Sequence, residues 1–341
     1  MDRPVATLSL DLDNLWSYLK THGDPGWETF PSFLDRATDR ILPILSELDL
    51  RITFFIVGKD AELEKNGAAL RAISDAGHEI ASHSHWHVPH FHKLGRLETQ
   101  QELELAENAI EAATGRKPKG WRGPSFSFSR TLVETLSARG YEYDATIFPT
   151  FLGPLARLYF FATSGLSSKQ REERSDLFGG VSNGFRPIRA FRWRIEDKPG
   201  FLEIPVTTVP GIRTPFHASY LHYLATFSET AAKTYMESAL QLCRISSVSP
   251  SFLLHPTDFL GAEDAPDLKF FPGMNVGGAR KEARTKGFLS QLSRSFAVLS
   301  MGAYADSLRN QPLRTLSLPA AAEDILENSP FIENTSANPS A

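Results

Sequence analysis

The chain has one cysteine, Cys243, in 341 residues. A closed thiolate metal site is therefore excluded, and any metal centre must be built from histidines and carboxylates, a donor set that usually leaves a position open for water. Positive charge is not in excess either. With 36 Lys and Arg against 40 Asp and Glu, the formal net charge is −4, which removes the general electrostatic case for a nucleic-acid partner. There is no long uninterrupted apolar run. The most apolar stretch, 148–166, is cut by Pro149, Pro154 and Arg157 and is too short for a transmembrane span. No internal repeat and no glycine-rich nucleotide fingerprint stand out. The first strand-like run begins at Val5, leaving no room for a charged segment and an apolar signal core, so a cytoplasmic location is expected.

What the chain does have is histidine concentrated in one place. Six of its ten histidines, His78, His83, His85, His87, His90 and His92, fall within fifteen residues. They follow a strand-like run, Glu79 to Ser82. His83 and His87 are four apart and share one face if the segment makes a helical turn, whereas His85 joins them only if the strand continues through it. His83 and His87 are thus the expected ligands, with His85 an outside candidate and His90 and His92 in the loop beyond. About seventy residues earlier, Val5-Ala6-Thr7-Leu8-Ser9-Leu10 reads as a buried strand that delivers Asp11 and Asp13 at its end. Residues i and i+2 of a strand point the same way, so two carboxylates can face one pocket. A carboxylate and two imidazoles suffice to hold a divalent ion. The second carboxylate and the isolated His255 remain for acid–base work, a combination that implies a hydrolase.

These segments resemble the motifs of the NodB-type polysaccharide deacetylases, carbohydrate esterases and amide hydrolases built on a distorted barrel of parallel strands and helices. Asp11-Leu12-Asp13 is similar to the first motif, and Gly77-His78-Glu79-Ile80-Ala81-Ser82-His83-Ser84-His85-Trp86-His87 to the second. Arg122-Gly123-Pro124-Ser125 is similar to the third, and Phe252-Leu253-Leu254-His255-Pro256 to the last. The resemblance implies that Asp13, His83 and His87 bind a divalent metal, Zn2+ above others. It also implies that Asp11 is the catalytic base, Arg122 its orienter and His255 the general acid. A fixed guanidinium favours the charged form of a nearby carboxylate, and an imidazole can protonate a departing amine. Two departures bear on substrate. The Asp-rich motif that orients the acid histidine in many relatives has no clear copy, leaving Asp144 and Asp258 as candidates, and Ser125 stands where an aromatic is usual. Trp86, Trp121, Pro124 and Ser125 are the candidate substrate contacts.

Along the chain, strand-like and helix-like runs alternate, as in a parallel sheet or barrel with its active site at the strands' C-terminal ends. Amphipathic helices are expected over Phe33 to Leu48, Thr99 to Thr114, and from the Ser129 cap to Gly140. Further strands are expected over Arg51 to Val57, Tyr141 to Ile147, Leu202 to Val206, Ser251 to His255 and Phe296 to Ser300. The expected architecture is an α/β protein, a distorted (β/α)7-type barrel over residues 1–305 with an insertion at about 148–200. A C-terminal extension, 306–341, follows, disordered from about Asn328. The insertion is aromatic at first and then carries Arg171, Arg174, Arg186, Arg189, Arg192 and Arg194. It reads either as a loop laid over the barrel or as a lid whose arginines face a phosphate, with peripheral membrane contact.

The function expected is hydrolysis of a non-peptide C–N bond, foremost an N-acetyl group on an amino sugar or glycan. The alternatives are a lipid-linked sugar deformylase or deacetylase, a cyclic imide hydrolase on the same site, and a non-catalytic carbohydrate-binding protein. Oligomeric state is not legible.

Overall fold

The structure is a computed structural model that describes residues 3–173, 175, 177, 179–195 and 200–319. Its strands are β1 (Val5–Leu12), β2 (Thr53–Ile56), β3 (Glu79–Ser82), β4 (Gly120–Trp121), β5 (Tyr143–Asp144), β6 (Phe191–Arg194), β7 (Phe201–Glu203), β8 (Ser251–Leu254), β9 (Ala297–Leu299) and β10 (Thr315–Ser317). Seven of them, in the order β8-β1-β2-β3-β4-β5-β7, pair in parallel. The ring closes without a regular ladder. Beyond β7, Thr207 N donates to Ser251 O at 3.1 Å and Ser251 N donates to Thr207 Oγ1 at 2.8 Å. The result is an α/β barrel distorted at the seam between its last two parallel strands. β6 and β10 extend the sheet beyond β7, and β9 pairs with β1.

The central strand explains the placement. β1 is covered on both faces, and Leu8, Leu10 and Leu12 have at most 1% of their surface exposed, as expected of a strand between parallel neighbours. Burying a leucine of this kind contributes roughly 1.5–3 kcal/mol. The helices Leu34–Glu47, Gly67–Asp75, Arg96–Thr114 and Arg130–Arg139 cross between successive strands, and the first turns Ala37, Ile41 and Leu45 inward at helical spacing. No helix among the described residues is long and apolar enough to cross a membrane.

Three expectations about organisation change. The boundary at 305 falls inside the helix Met301–Ser307, and β10 pairs in parallel with β6, so residues 306–317 are part of the sheet rather than an extension. The expected disorder from Asn328 lies outside the described residues. The 148–200 insertion is not all loop, since its β6 runs antiparallel to β7. The strand expected over Tyr141 to Ile147 is only Tyr143–Asp144, because the chain turns where Asp144 Oδ1 accepts from Thr146 N at 3.0 Å and from the Thr146 hydroxyl.

At that turn two buried carboxyl groups face each other. Asp144 and Glu203 are directly paired in the β5–β7 register and neither has any exposed surface. Burial pushes Asp144 up to about 6, and burial together with Asp144 raises Glu203 well above its usual range. Glu203 also accepts from Ile147 N at 2.9 Å and Trp193 Nε1 at 3.1 Å. The native pair keeps protons that the unfolded carboxyls, near 3.8 and 4.5, release. Its contribution to stability is thus fully present below those values and is lost as pH rises through 6 and beyond. Glu203→Gln should remove one proton from this balance and flatten the fall in stability between pH 4.5 and 6 by up to about 1.4 kcal/mol per pH unit. Urea midpoints measured across that range test this, and an unchanged slope would show that the pair holds no extra proton.

Candidate active site

The carboxyl ends of β1, β3, β4 and β8 deliver Asp11, His83, Arg122 and His255 to one end of the barrel. Asp11 and Asp13 leave β1 on the same side but meet different partners. Arg122 Nη1 donates to Asp11 Oδ1 at 2.6 Å and to Ser9 Oγ at 2.9 Å, while its Nε donates to Ala145 O at 2.9 Å. The guanidinium is fully buried, 4.3 Å from the centre of the Phe55 ring. The other Asp11 oxygen, Oδ2, is 4.0 Å from His255 Nε2.

Asp13 faces the histidines. Its Oδ1 lies 3.4 Å from His83 Nε2 and 3.1 Å from His87 Nε2. All three side chains are buried, and their ligand atoms lie within 4.8 Å of one another. Asp13 Oδ1 has no hydrogen-bond partner among the described residues. His83 Nδ1 is bonded to Arg122 O at 2.7 Å; since a carbonyl only accepts, Nδ1 carries the proton and Nε2 presents a bare lone pair. Donors about 2.0–2.2 Å from a tetrahedral ion lie roughly 3.3–3.6 Å apart. The two Asp13–histidine separations are close to this range, so the three side chains could hold such an ion. Burial alone would raise the Asp13 carboxyl, but the neighbouring His87 and His83 more than reverse this and hold it well below its ordinary range.

The histidines do not reach this position by a helical turn. The segment after β3 is an irregular loop in which Ser84 (φ 62°) and His87 (φ 47°) adopt left-handed backbone, and this folds His87 back beside His83. His85 points elsewhere, with Nε2 3.5 Å from Glu62 Oε1. Two long-range clamps hold the loop and the strand end. Glu102, on the helix Arg96–Thr114, accepts from both His85 N and Trp86 N at 3.1 Å through Oε2. Asp60 accepts from Asn14 Nδ2 at 2.6 Å, Trp16 Nε1 at 2.9 Å and Asn66 Nδ2 at 3.0 Å, and burial first of all pushes it up to about 7. Asn14 in turn caps the helix Leu15–His22 through Leu15 N at 2.8 Å, which fixes the turn after Asp13. Sequence reasoning missed both clamps; a buried acid at a helix position was the only trace.

His255 follows β8. Its Nδ1 is 3.2 Å from Ser219 Oγ, Ser219 donates to Asp258 Oδ1 at 2.8 Å, and Asp258 Oδ2 accepts from His255 N at 2.7 Å. Of the two candidate partners for this histidine, Asp258 acts through Ser219, whereas Asp144 is occupied by Thr146 and Glu203.

The candidate substrate contacts divide. Trp121 is fully buried against Phe91 and Tyr141 and offers no face to a sugar, so that expectation is corrected. Trp86 is half-buried beside Phe30, with the Lys20 and Lys59 ammonium groups over its ring at 5.7 and 5.0 Å. Pro124 is buried and Ser125 half-buried in the tight turn after Arg122. Gly123 is required there, because a Cβ would lie 2.3 Å from Ser127 O. The lid arginines mostly serve the backbone. Arg189 donates to Ser246 O, and Arg192 to Gly200 O, Leu308 O and Arg309 O. Arg174 lies outside the described residues.

The sequence profile of the polysaccharide deacetylase family matches residues 21–143. This range includes His83, His87 and Arg122. Among curated proteins, the chain is 29% identical over 126 residues to a peptidoglycan deacetylase-like protein of Gibberella zeae, covering 36% of this chain and 34% of the relative. It is 25% identical over 213 residues to the peptidoglycan deacetylase of Helicobacter pylori, covering 59% of this chain and 69% of the relative. The chain therefore spans about a third of the length of the first of these and about two thirds of the second. A crystal structure of a Mycobacterium smegmatis protein described as a polysaccharide deacetylase superposes with a TM-score of 0.60 at 19% identity, covering 94% of this chain and 95% of that one. That likeness establishes a shared fold.

Glu102 yields the prediction of this site. Glu102→Ala leaves the buried N–H groups of His85 and Trp86 without an acceptor, at a cost of about 1–3 kcal/mol each. Loosening of the loop should lower the apparent affinity for added Zn2+ on the order of 10-fold, read by competition with a chromophoric chelator. Unchanged affinity would show that the loop holds its shape without the clamp.

Proposed function

We propose that this chain, whose residues 21–143 match the polysaccharide deacetylase profile, is a metal-dependent hydrolase that removes the N-acetyl group from an amino sugar of a glycan. The observation that carries the reading is the division of labour between Asp11 and Asp13. One carboxylate converges with two imidazoles; the other keeps an oxygen free 4.0 Å from His255 Nε2. A binding module needs no such opposition of a base and an acid across a gap.

When bound by Asp13, His83 and His87, a divalent ion such as Zn2+ would polarise the amide carbonyl and lower the pKa of water. The remaining work falls to the chain's own side chains. Asp11 Oδ2 takes a proton from the water that attacks the amide carbon, while Arg122 fixes Oδ1 and leaves Oδ2 as the only basic oxygen aimed at the gap. Ser219 has committed its proton to Asp258, so its oxygen accepts from His255 Nδ1–H. The exchangeable proton of His255 therefore sits on Nε2, facing the gap. Transfer of that proton to the departing nitrogen completes C–N cleavage and yields acetate and a free amine. Histidine and carboxylate are thus held in place before substrate arrives, which is where most of such rate enhancement originates.

Acetate release from chitooligosaccharides by metal-loaded protein tests the reading. Asp11→Asn should lose at least about 100-fold in kcat while retaining near-normal metal content, whereas His83→Ala should lose both. His255→Ala should keep its metal and lose most of kcat. Equal metal loss in Asp11→Asn and His83→Ala would remove the distinction between the two aspartates, and absence of acetate release from any acetylated amino sugar would refute the activity.

A further inference from the structure

A cavity of about 180 Å³ opens beside the reaction centre, and the mechanism above does not use it. Ser125, Phe126, Ile147, Phe148, Asn183 and Arg186 are among its lining residues. It is two ring contacts from the acid: the Phe148 ring lies 5.6 Å from that of His217, which lies 6.5 Å from that of His255. Ser125 joins the cavity directly to the turn that carries Arg122. Its walls mix aromatic and aliphatic side chains with the polar His92, Ser125, Ser127 and Asn183, and one guanidinium, that of Arg186, joins them. The Arg186 guanidinium lies beside the packed Phe128–Trp193 ring pair, 5.2 Å from the centre of Phe128 and 5.5 Å from that of Trp193.

Arg186 differs from two of its neighbours in the insertion. Arg189 and Arg192 are spent on backbone carbonyls. Among the described residues, Arg186 donates no side-chain hydrogen bond and no carboxylate lies within ion-pair distance of it; burial lowers its pKa, with Glu203 acting in the opposite direction. The half-buried guanidinium lines the cavity with its N–H donors uncommitted to any described residue. Its fork of donors matches two oxygens of one planar or tetrahedral anion.

We propose that this cavity is a subsite for an oxyanion-bearing substituent of the glycan, with Arg186 as its counter-ion. The proposal rests on the deacetylase reading, since it places the anion on the same substrate as the acetamido group. A single guanidinium balances a monoanion such as a carboxylate, and a phosphate ester presents the same oxygen chemistry.

The test compares four substrates: chitotetraose, O-carboxymethyl chitotetraose, its neutral carboxamide analogue and chitotetraose phosphate. The metal-loaded protein should favour the carboxymethyl substrate over the carboxamide on the order of 10-fold in kcat/KM, mainly through KM. That ratio should collapse towards one in Arg186→Gln and recover in part in Arg186→Lys, which controls for general damage to the loop. A preference for the phosphate that is lost in Arg186→Gln upholds the oxyanion subsite and assigns phosphate as its source. An equal ratio in wild type and Arg186→Gln, or no preference in wild type, overturns it. If none of the four is deacetylated, the activity reading has failed. The subsite is then judged by calorimetric binding of the carboxymethyl and carboxamide compounds to wild type and Arg186→Gln, with loss of an Arg186-dependent difference counting against it.

Discussion

The site depends on a guanidinium with no exposed surface. Burying Arg122 costs several kcal/mol of hydration even after relaxation. The structure offsets this with a carboxylate, a hydroxyl, a backbone carbonyl and the face of Phe55. These partners come from β1, β2 and the end of β5, so the charge is satisfied only when those strands are correctly aligned with β4, which delivers Arg122. The same residue's carbonyl then fixes the tautomer of His83. One position thus orients the free oxygen of Asp11 through its side chain and the metal-facing nitrogen of His83 through its backbone, so the base and the ligand cannot shift independently.

Two carboxylates two residues apart on one strand perform different tasks because their surroundings differ. Asp11 is still within the strand, beside Phe55 in the register and beneath Arg122. Asp13 is beyond it, at the turn that Asn14 and Asp60 hold, and there it meets the imidazoles. The buried Asn14–Asp60–Asn66 network gathers its hydrogen bonds on one oxygen of Asp60, Oδ1, and so ties the turn after Asp13 to the segment that carries Asn66. Glu102 does the same for the histidine loop. Both clamps act across long sequence separations, which is why local patterns gave no sign of them.

The elements with strong periodicity were legible in the sequence. β1, β3 and β8 lie within a residue or two of the expected runs, and the helix ending at Gly115 stops where the glycine permits left-handed backbone. The site residues with unusual chemistry were legible too, since Asp11, Asp13, His83, Arg122 and His255 converge. What failed was the route by which they converge. His87 reaches the cluster through left-handed backbone at Ser84 and at His87 itself, conformations that non-glycine sequence does not advertise. Trp121 was misread because an indole in a two-residue strand packs inward as readily as it faces a ligand. The boundary near 305 failed for a related reason: β10 is three residues long, and its place is set by the exposed edge of β6 rather than by any pattern of its own.

The barrel's irregularity and its candidate subsite lie on the same side. Between β7 and β8 there is no ladder, only the exchange between Thr207 and Ser251. A regular strand pair there would carry the sheet past this point and leave no gap for Phe148, His217 and Arg186. Instead the chain after β5 turns at Asp144, and Val206 N donates to Ile147 O at 2.9 Å, so the segment after Ile147 passes beside the seam. Burial raises both Asp144 and Glu203 at this corner, which limits the negative charge that two facing carboxyl groups would otherwise place there. The corner therefore packs two acids back to back on its inner side, while Arg186 lines the cavity on the other.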